Sequence, residues 1–195
     1  MGHRVAQMME KHTNPAVRAG LAKHFRRTPW LIETLRKLAR SDADPDVRSV
    51  ALRRLLDVMP KLSSDEVCDL IADAAEDSNM EMARPDTSLF ATTPGCYKQS
   101  YRVLSAMEKN TKAGRTISIY DVMRIWRKDQ LTVTAKRQAV STAKAIVMNT
   151  SNQQRQEALR FVASHDPTGK LFARAFLEDS DRKVAGLARV IVEGR

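Results

Sequence analysis

Apolar positions along the chain recur every three to four residues, with polar positions between them. That period matches one face of an α-helix. Leu31, Leu35 and Leu38 share a stripe behind Thr28-Pro29, and proline suits the first helical position, where its missing N–H costs nothing. Asp44-Pro45 opens the next such segment, which closes near Pro60. Ser63 and Glu66 form a capping box ahead of Val67, Leu70, Ile71 and Ala74. Ser118 precedes Ile119, Val122, Met123 and Trp126; Ser151 with Gln154 repeats the capping-box spacing; Ser180 precedes Val184, Leu187, Ala188 and Ile191. No alternating run of period two competes. The pattern predicts an all-α chain of roughly nine or ten helices, each about 10–16 residues long, joined by short polar turns.

The width of the apolar stripe varies from helix to helix. In segment 47–58, Val47, Val50, Ala51, Leu52, Leu55, Leu56 and Val58 cover more than half the circumference, so this helix must be packed on more than one side. Segment 28–40 has a narrower stripe and keeps Arg36, Lys37 and Arg40 outside it. A buried inner helix alternating with an amphipathic outer one is what stacked antiparallel helix pairs require. The rhythm breaks at residues 82–96, MARPDTSLFATTPGC, with Pro85, Pro94 and Gly95. This stretch reads as a loop or linker between helical regions at 1–81 and 97–195, or as a long loop within one continuous domain. Its plainer role is a solvated connector; its functional alternative is a binding loop tipped by Leu89 and Phe90.

Composition adds charge to this picture. The 195 residues carry 33 Lys+Arg against 23 Asp+Glu, a formal net charge of +10. Residues 1–40 hold 9 basic and 2 acidic side chains, residues 61–95 hold 2 and 8, and residues 96–148 hold 11 and 3. An acidic block therefore separates two basic ones, a pattern that points to polyanionic partners. Cys68 and Cys96 supply neither a disulfide framework nor a zinc knuckle, and Cys96 reads as a free structural thiol. The start lacks a secretory signal, and no apolar stretch suits a membrane span, so the expected setting is a reducing cytoplasm. His3, His12, His24 and His165 show no metal-ligand spacing, and neither a glycine-rich phosphate loop nor a GxSxG elbow is present. The expectation is no metal, no cofactor, no small-molecule substrate and no catalysis.

The strongest signal is self-similarity. NPAVRAGLAKHF at 14–25, DPDVRSVALRRL at 44–55 and DPTGKLFARAFL at 166–177 each begin Asx-Pro. Each continues with a basic residue four positions on, at Arg18, Arg48 and Lys170, and ends on an apolar one. DRKVAGLARVIV at 181–192 is a looser copy. With Asp44, Val47, Arg48 and Ala51 in place, the chain resembles the HEAT-like helical repeats, whose second helix begins D-x-x-V-R-x-x-A. Asn14, Val17 and Arg18 match at the N-terminus, and Asp181, Val184 and Ala188 match in part, with Ala185 at the arginine position. The match covers residues 12–60 best, then 133–195, and is poor over 61–132. The resemblance implies a HEAT-like α-solenoid or an irregular helical-repeat domain with a long curved surface, and it implies no common activity.

Arg18 and Arg48 occupy the repeat's arginine position, which in that family commonly bonds an aspartate of a neighbouring turn, so they read as structural. Candidates for phosphate contacts are Arg26, Arg27, Arg36, Lys37 and Arg40 in the first basic block. In the second they are Lys109, Lys112, Arg115, Arg124, Arg127, Lys128, Arg137 and Lys144. Trp30 and Trp126 have the chemistry to stack on bases, although Trp126 falls on an apolar stripe and reads as core. Asp65, Asp69, Asp73 and Asp77 recur every four residues as an acidic stripe, suited to docking a basic partner or to pairing with the basic blocks. The expected function is a non-catalytic interaction module whose basic surface binds nucleic acid through its backbone. The alternative is a protein–protein scaffold or assembly subunit. The HEAT-like alkylpurine DNA glycosylases share the general shape and charge, but no catalytic carboxylate aligns with an aromatic cradle here.

Overall fold

Three prolines stand where the helical period begins, and each is the first residue of a helix. The computed structural model describes residues 2–24, 29–58, 64–77, 90, 95–150 and 153–194. Among these there are eleven helices and no strand. They are α1 (Gly2–Lys11), α2 (Pro15–His24), α3 (Pro29–Ser41), α4 (Pro45–Val58), α5 (Ser64–Glu76) and α6 (Ser100–Lys112). There follow α7 (Ile119–Trp126), α8 (Val133–Asn149), α9 (Gln153–His165), α10 (Gly169–Arg174) and α11 (Arg182–Glu193). Asn14 and Asp44 cap the helices begun by the prolines, accepting the amides of Ala16 and Asp46 at 2.9 and 3.0 Å. Of the capping boxes read from the sequence, Ser63 and Ser151 lie outside the described residues. Ser118 is the N-cap of α7 but makes no side-chain cap bond; Gln154 instead accepts the Ile119 amide at 3.0 Å. Asp181, not Ser180, caps α11.

The chain divides into two compact units, Met1–Cys96 and Tyr97–Arg195. In the first, α4 packs against α2, α3 and α5, as its broad apolar face requires. Val47, Ala51, Leu52 and Leu55 of α4 close a core with Met9, Leu35, Leu38 and Leu70. In the second unit, α8 is the central helix, packed against α6, α7 and α9, while α10 and α11 pack on α9 and on each other. One face of α8, formed by Ala135, Ala139, Ala143 and Ile146, is buried in this core.

Two arginines make the same bonds. Arg18 donates from Nε and Nη2 to the two carboxylate oxygens of Asp42, both at 2.8 Å. Its Nη1 donates to the carbonyls of His12 and Thr13, six and five residues earlier. Arg48 donates from Nε to Asp77 at 2.7 Å, and from Nη1 to the carbonyls of Asp42 and Ala43, again six and five residues earlier. Their side chains are only 11% and 13% exposed, so neither is available as a surface contact.

The third Asx-Pro copy does not fall in the same place. Asp166-Pro167 leads into α10, and Lys170 is exposed with no ion pair among the described residues. The equivalent of Arg18 is Arg155 of α9, which bonds both oxygens of Asp179, 24 residues on, the same separation as Arg18 and Asp42. Asp179 accepts the amide of Asp181, and Asp181 caps α11 through the amide of Lys183; Asp42, Asp44 and Asp46 do the same ahead of α4. Asx-Pro marks any helix start. The arginine bonded to the first of two aspartates recurs at Arg18 and Arg155. Burial pushes the carboxyls of Asp42 and Asp179 up, but their arginine partners and the neighbouring amides overcome it and hold both below the usual carboxylate range.

Candidate nucleic-acid interface

The unit boundary redistributes the charge. Residues 1–96 hold 14 basic and 14 acidic side chains; residues 97–195 hold 19 and 9 and so carry the whole excess of +10. Two cations of the first basic block are answered within their own unit. Arg36 bonds Glu66 and Glu33 at 3.0 and 3.2 Å, and Lys37 bonds Glu10 at 2.5 Å. Arg40 is exposed, and Arg26, Arg27 and the Trp30 side chain lie outside the described residues. On α5, Asp65 and Asp73 are exposed and Asp69 is half-buried, while Asp77 is taken by Arg48.

Two readings of the 82–96 segment are corrected by the structure. Phe90 is fully buried, so it is not an exposed tip; Leu89 lies outside the described residues. Cys96 is not a free thiol but is joined to Cys68, their Cα atoms 5.2 Å apart. Neither correction was legible locally: the pairing depends on a chain reversal across 28 residues that no periodicity encodes.

In the second unit, the face of α8 opposite its buried one floors an open groove of about 310 Å³. Val133, Lys136, Arg137, Val140 and Lys144 recur at the helical period along this floor. Trp126, at the end of α7, forms one wall; His165 and Pro167, at the α9–α10 turn, line the groove as well. The helix rise of 1.5 Å per residue spreads the cationic positions from Lys136 to Lys144 over about 12 Å. Sequence reasoning found Arg137 and Lys144 but not Lys136 or His165; the spacing 133, 136, 137, 140, 144 carried the signal. It also placed Trp126 in the core. The ring is half-buried: it meets Phe161 and His165 edge-on, at centroid distances of 5.2 and 4.6 Å, and still lines the groove.

The aromatic cluster is held firmly. His165 stacks on buried Phe161 at 4.5 Å, and its Nδ1 lies 2.8 Å from the Phe161 carbonyl, which can only accept, so Nδ1 carries the proton of that bond. Lys136 Nζ stands 5.8 Å from the Trp126 ring centroid, a cation–π contact on an exposed side chain. Arg137 is exposed and makes no ion pair among the described residues. Lys144 is paired with Asp166, a carboxylate in the lining, and also lies 5.4 Å from the Phe172 ring. The Lys144 bond, with the amide and hydroxyl of Thr168, outweighs burial and holds Asp166 below the usual carboxylate range.

The remaining candidates are not brought into this groove. Lys109 and Lys112 belong to the last turn of α6 and Arg115 follows it; α6 packs on the other flank of α8, where Thr142 donates to the Leu104 carbonyl at 3.0 Å and Gln138 reaches Glu108. Lys112 bonds Glu108 at 2.5 Å and Arg115 bonds Asn110 at 2.6 Å. Arg124 and Arg127 are exposed, with Arg124 3.4 Å from Asp121. Lys128 is half-buried, and that burial pushes its ammonium below the usual lysine range. Among the described residues, no group of three or more His, Cys, Asp or Glu is placed to hold a metal ion, and no helix is long and apolar enough to cross a membrane. Comparison of the chain with protein-family models, with curated proteins and with solved structures finds no match.

Proposed function

We propose that the protein is a non-catalytic interaction module that binds nucleic acid, chiefly its phosphate backbone, through the cationic surface of residues 97–195. The observation that carries this reading is the segregation of charge: the first unit carries no net charge, and the second holds the entire excess. Within that unit Lys136 and Arg137 stand on one open helical face beside an aromatic wall. Phosphate neutralisation releases counterions, so it makes affinity fall steeply with salt, by a slope of about −0.9 per duplex phosphate contacted. The finer architecture we read as HEAT-like helix pairs, supported by the recurrence of the Arg–Asp–Asp arrangement at Arg18 and Arg155.

The test is a salt series of binding isotherms with a labelled oligonucleotide, in single- and double-stranded form, on the full chain. The expected result is a negative linear slope of log affinity against log salt. The double variant Lys136→Glu/Arg137→Glu should flatten that slope by about two contacts. Absence of binding at low salt, or affinity indifferent to salt, overturns the reading. Protein captured equally before and after nuclease treatment would point to a protein scaffold instead.

A further inference from the structure

We infer that the α8 groove takes an unpaired nucleotide of a single strand, with its base against Trp126 and its phosphate on Lys136 and Arg137. This deepens the proposal above and rests on it. Three observations carry it. The groove has about 310 Å³, room for a base. Its lining is chemically split: Val133, Val140 and the Trp126 ring offer apolar surface, and Lys136 and Arg137 sit beside them on the same helical face. A patch serving only to hold a phosphate backbone needs the cations and gains nothing from the aromatic wall. An aromatic anion uses both, and a nucleotide is one.

The third observation is mechanical. Lys136 Nζ covers the Trp126 ring from 5.8 Å, yet the lysine side chain is exposed and long, so it can swing from ring to phosphate without disturbing the core. Phe161 and His165 meet the tryptophan at interplanar angles of 87° and 70°, contacts that do not involve the lysine and so leave the ring in place when the lysine moves. Asp166 does not oppose an incoming phosphate with an unanswered charge, because Lys144 and Thr168 already bind it.

The experiment uses the full chain in a Trp30→Phe background, so that Trp126 is the single tryptophan. Probes are a short oligothymidylate, its duplex with oligoadenylate at matched length, and heparin as a polyanion without bases. The single strand should quench Trp126 fluorescence, bind more tightly than the duplex at equal salt, and lose about 5- to 100-fold affinity in Trp126→Ala, while heparin binding stays unchanged. Val133→Glu is the second variant. Its position is 66% exposed and opens α8, where an acidic residue favours the helix, so it puts a carboxylate in the groove without burdening the fold. It should weaken the single strand by a similar factor. If both variants bind the single strand as the parent does, or if Trp126 is not quenched, the inference fails. Should salt-dependent duplex binding persist in that case, the backbone-binding reading survives alone. If no probe binds at low salt, both fall.

Discussion

The same substitution, glycine to alanine, should have opposite effects at two positions of the second unit. Gly169 is buried at the start of α10, where the chain turns back on α9. A Cβ built there would lie 2.5 Å from the Val162 carbonyl oxygen, 2.7 Å from the Ala163 Cα and 3.1 Å from the Ala163 carbonyl oxygen. All three atoms are backbone of α9, so no side-chain rotation relieves the clash. Ordinary carbon contacts sit at about 3.5–4.0 Å, so the two helices must part by most of an ångström. Overpacking of this kind costs about 1–3 kcal/mol. Gly186 is the control. It lies inside α11, and an added Cβ meets nothing within 4 Å. There the methyl group only removes backbone freedom from the unfolded chain, a gain of about 1 kcal/mol in a helix interior. Thermal denaturation of the full chain by far-UV circular dichroism reads both. For a unit near 100 residues, each kcal/mol moves Tm by about 4–8 °C, so Gly169→Ala should lower the midpoint and Gly186→Ala should raise it. If the two shifts share a sign, or if Gly169→Ala is neutral, the close approach of α10 to α9 described here is wrong.

Other expectations concern the ion pairs and the cysteines. Asp42 is held below the ordinary carboxylate range, so its contribution is full above the unfolded value near 3.9 and is lost as pH falls through the folded one. Asp42→Asn should therefore be destabilised at pH 7 and show a flatter decline than the parent in urea titrations below about pH 4; parallel declines would remove Asp42 from the account. Cys68→Ser, or reduction, opens a closed loop spanning 28 residues, and the chain-entropy model puts the loss at about 3.5 kcal/mol. Equal urea midpoints with and without reductant would show that the crosslink does not stabilise the first unit. Gly20→Ala, in α2 with open space around the added methyl group, should resemble Gly186→Ala in the same melting assay.

Helices were the legible part of this chain because a period of 3.6 is written locally. Pro29 and Pro45 marked two starts to the residue, and the broad apolar face of α4 foretold packing on more than one side. What stayed hidden depends on partners far along the chain. Arg36 and Lys37 looked like a free basic face until Glu66 and Glu10 were brought beside them from other helices. Phe90 looked like a loop tip because a short apolar pair between prolines carries no sign of the side it will face. Lys170 shares the Asx-Pro with Arg18, but the bonding pattern selects Arg155, whose spacing to Asp179 and Asp181 is present in the sequence. That spacing was the better signal, because it encodes a contact and not merely a helix start.

Whether the excess of positive charge serves only solubility can be argued from its placement. Solubility is indifferent to which face a cation occupies and is served best by both signs interspersed. The first unit follows that rule, pairing Arg18, Arg36, Lys37 and Arg48 with carboxylates. The second unit departs from it on α8, where Lys136 and Arg137 share one helical face with Val133 and Val140 beside a half-buried tryptophan. A solvated face would not set valines between its charges, since exposed apolar surface works against solubility. Apolar floor, open cations and a braced aromatic ring together suit the flat, anionic ligand proposed above, and they add to the segregation of charge what net charge alone does not supply.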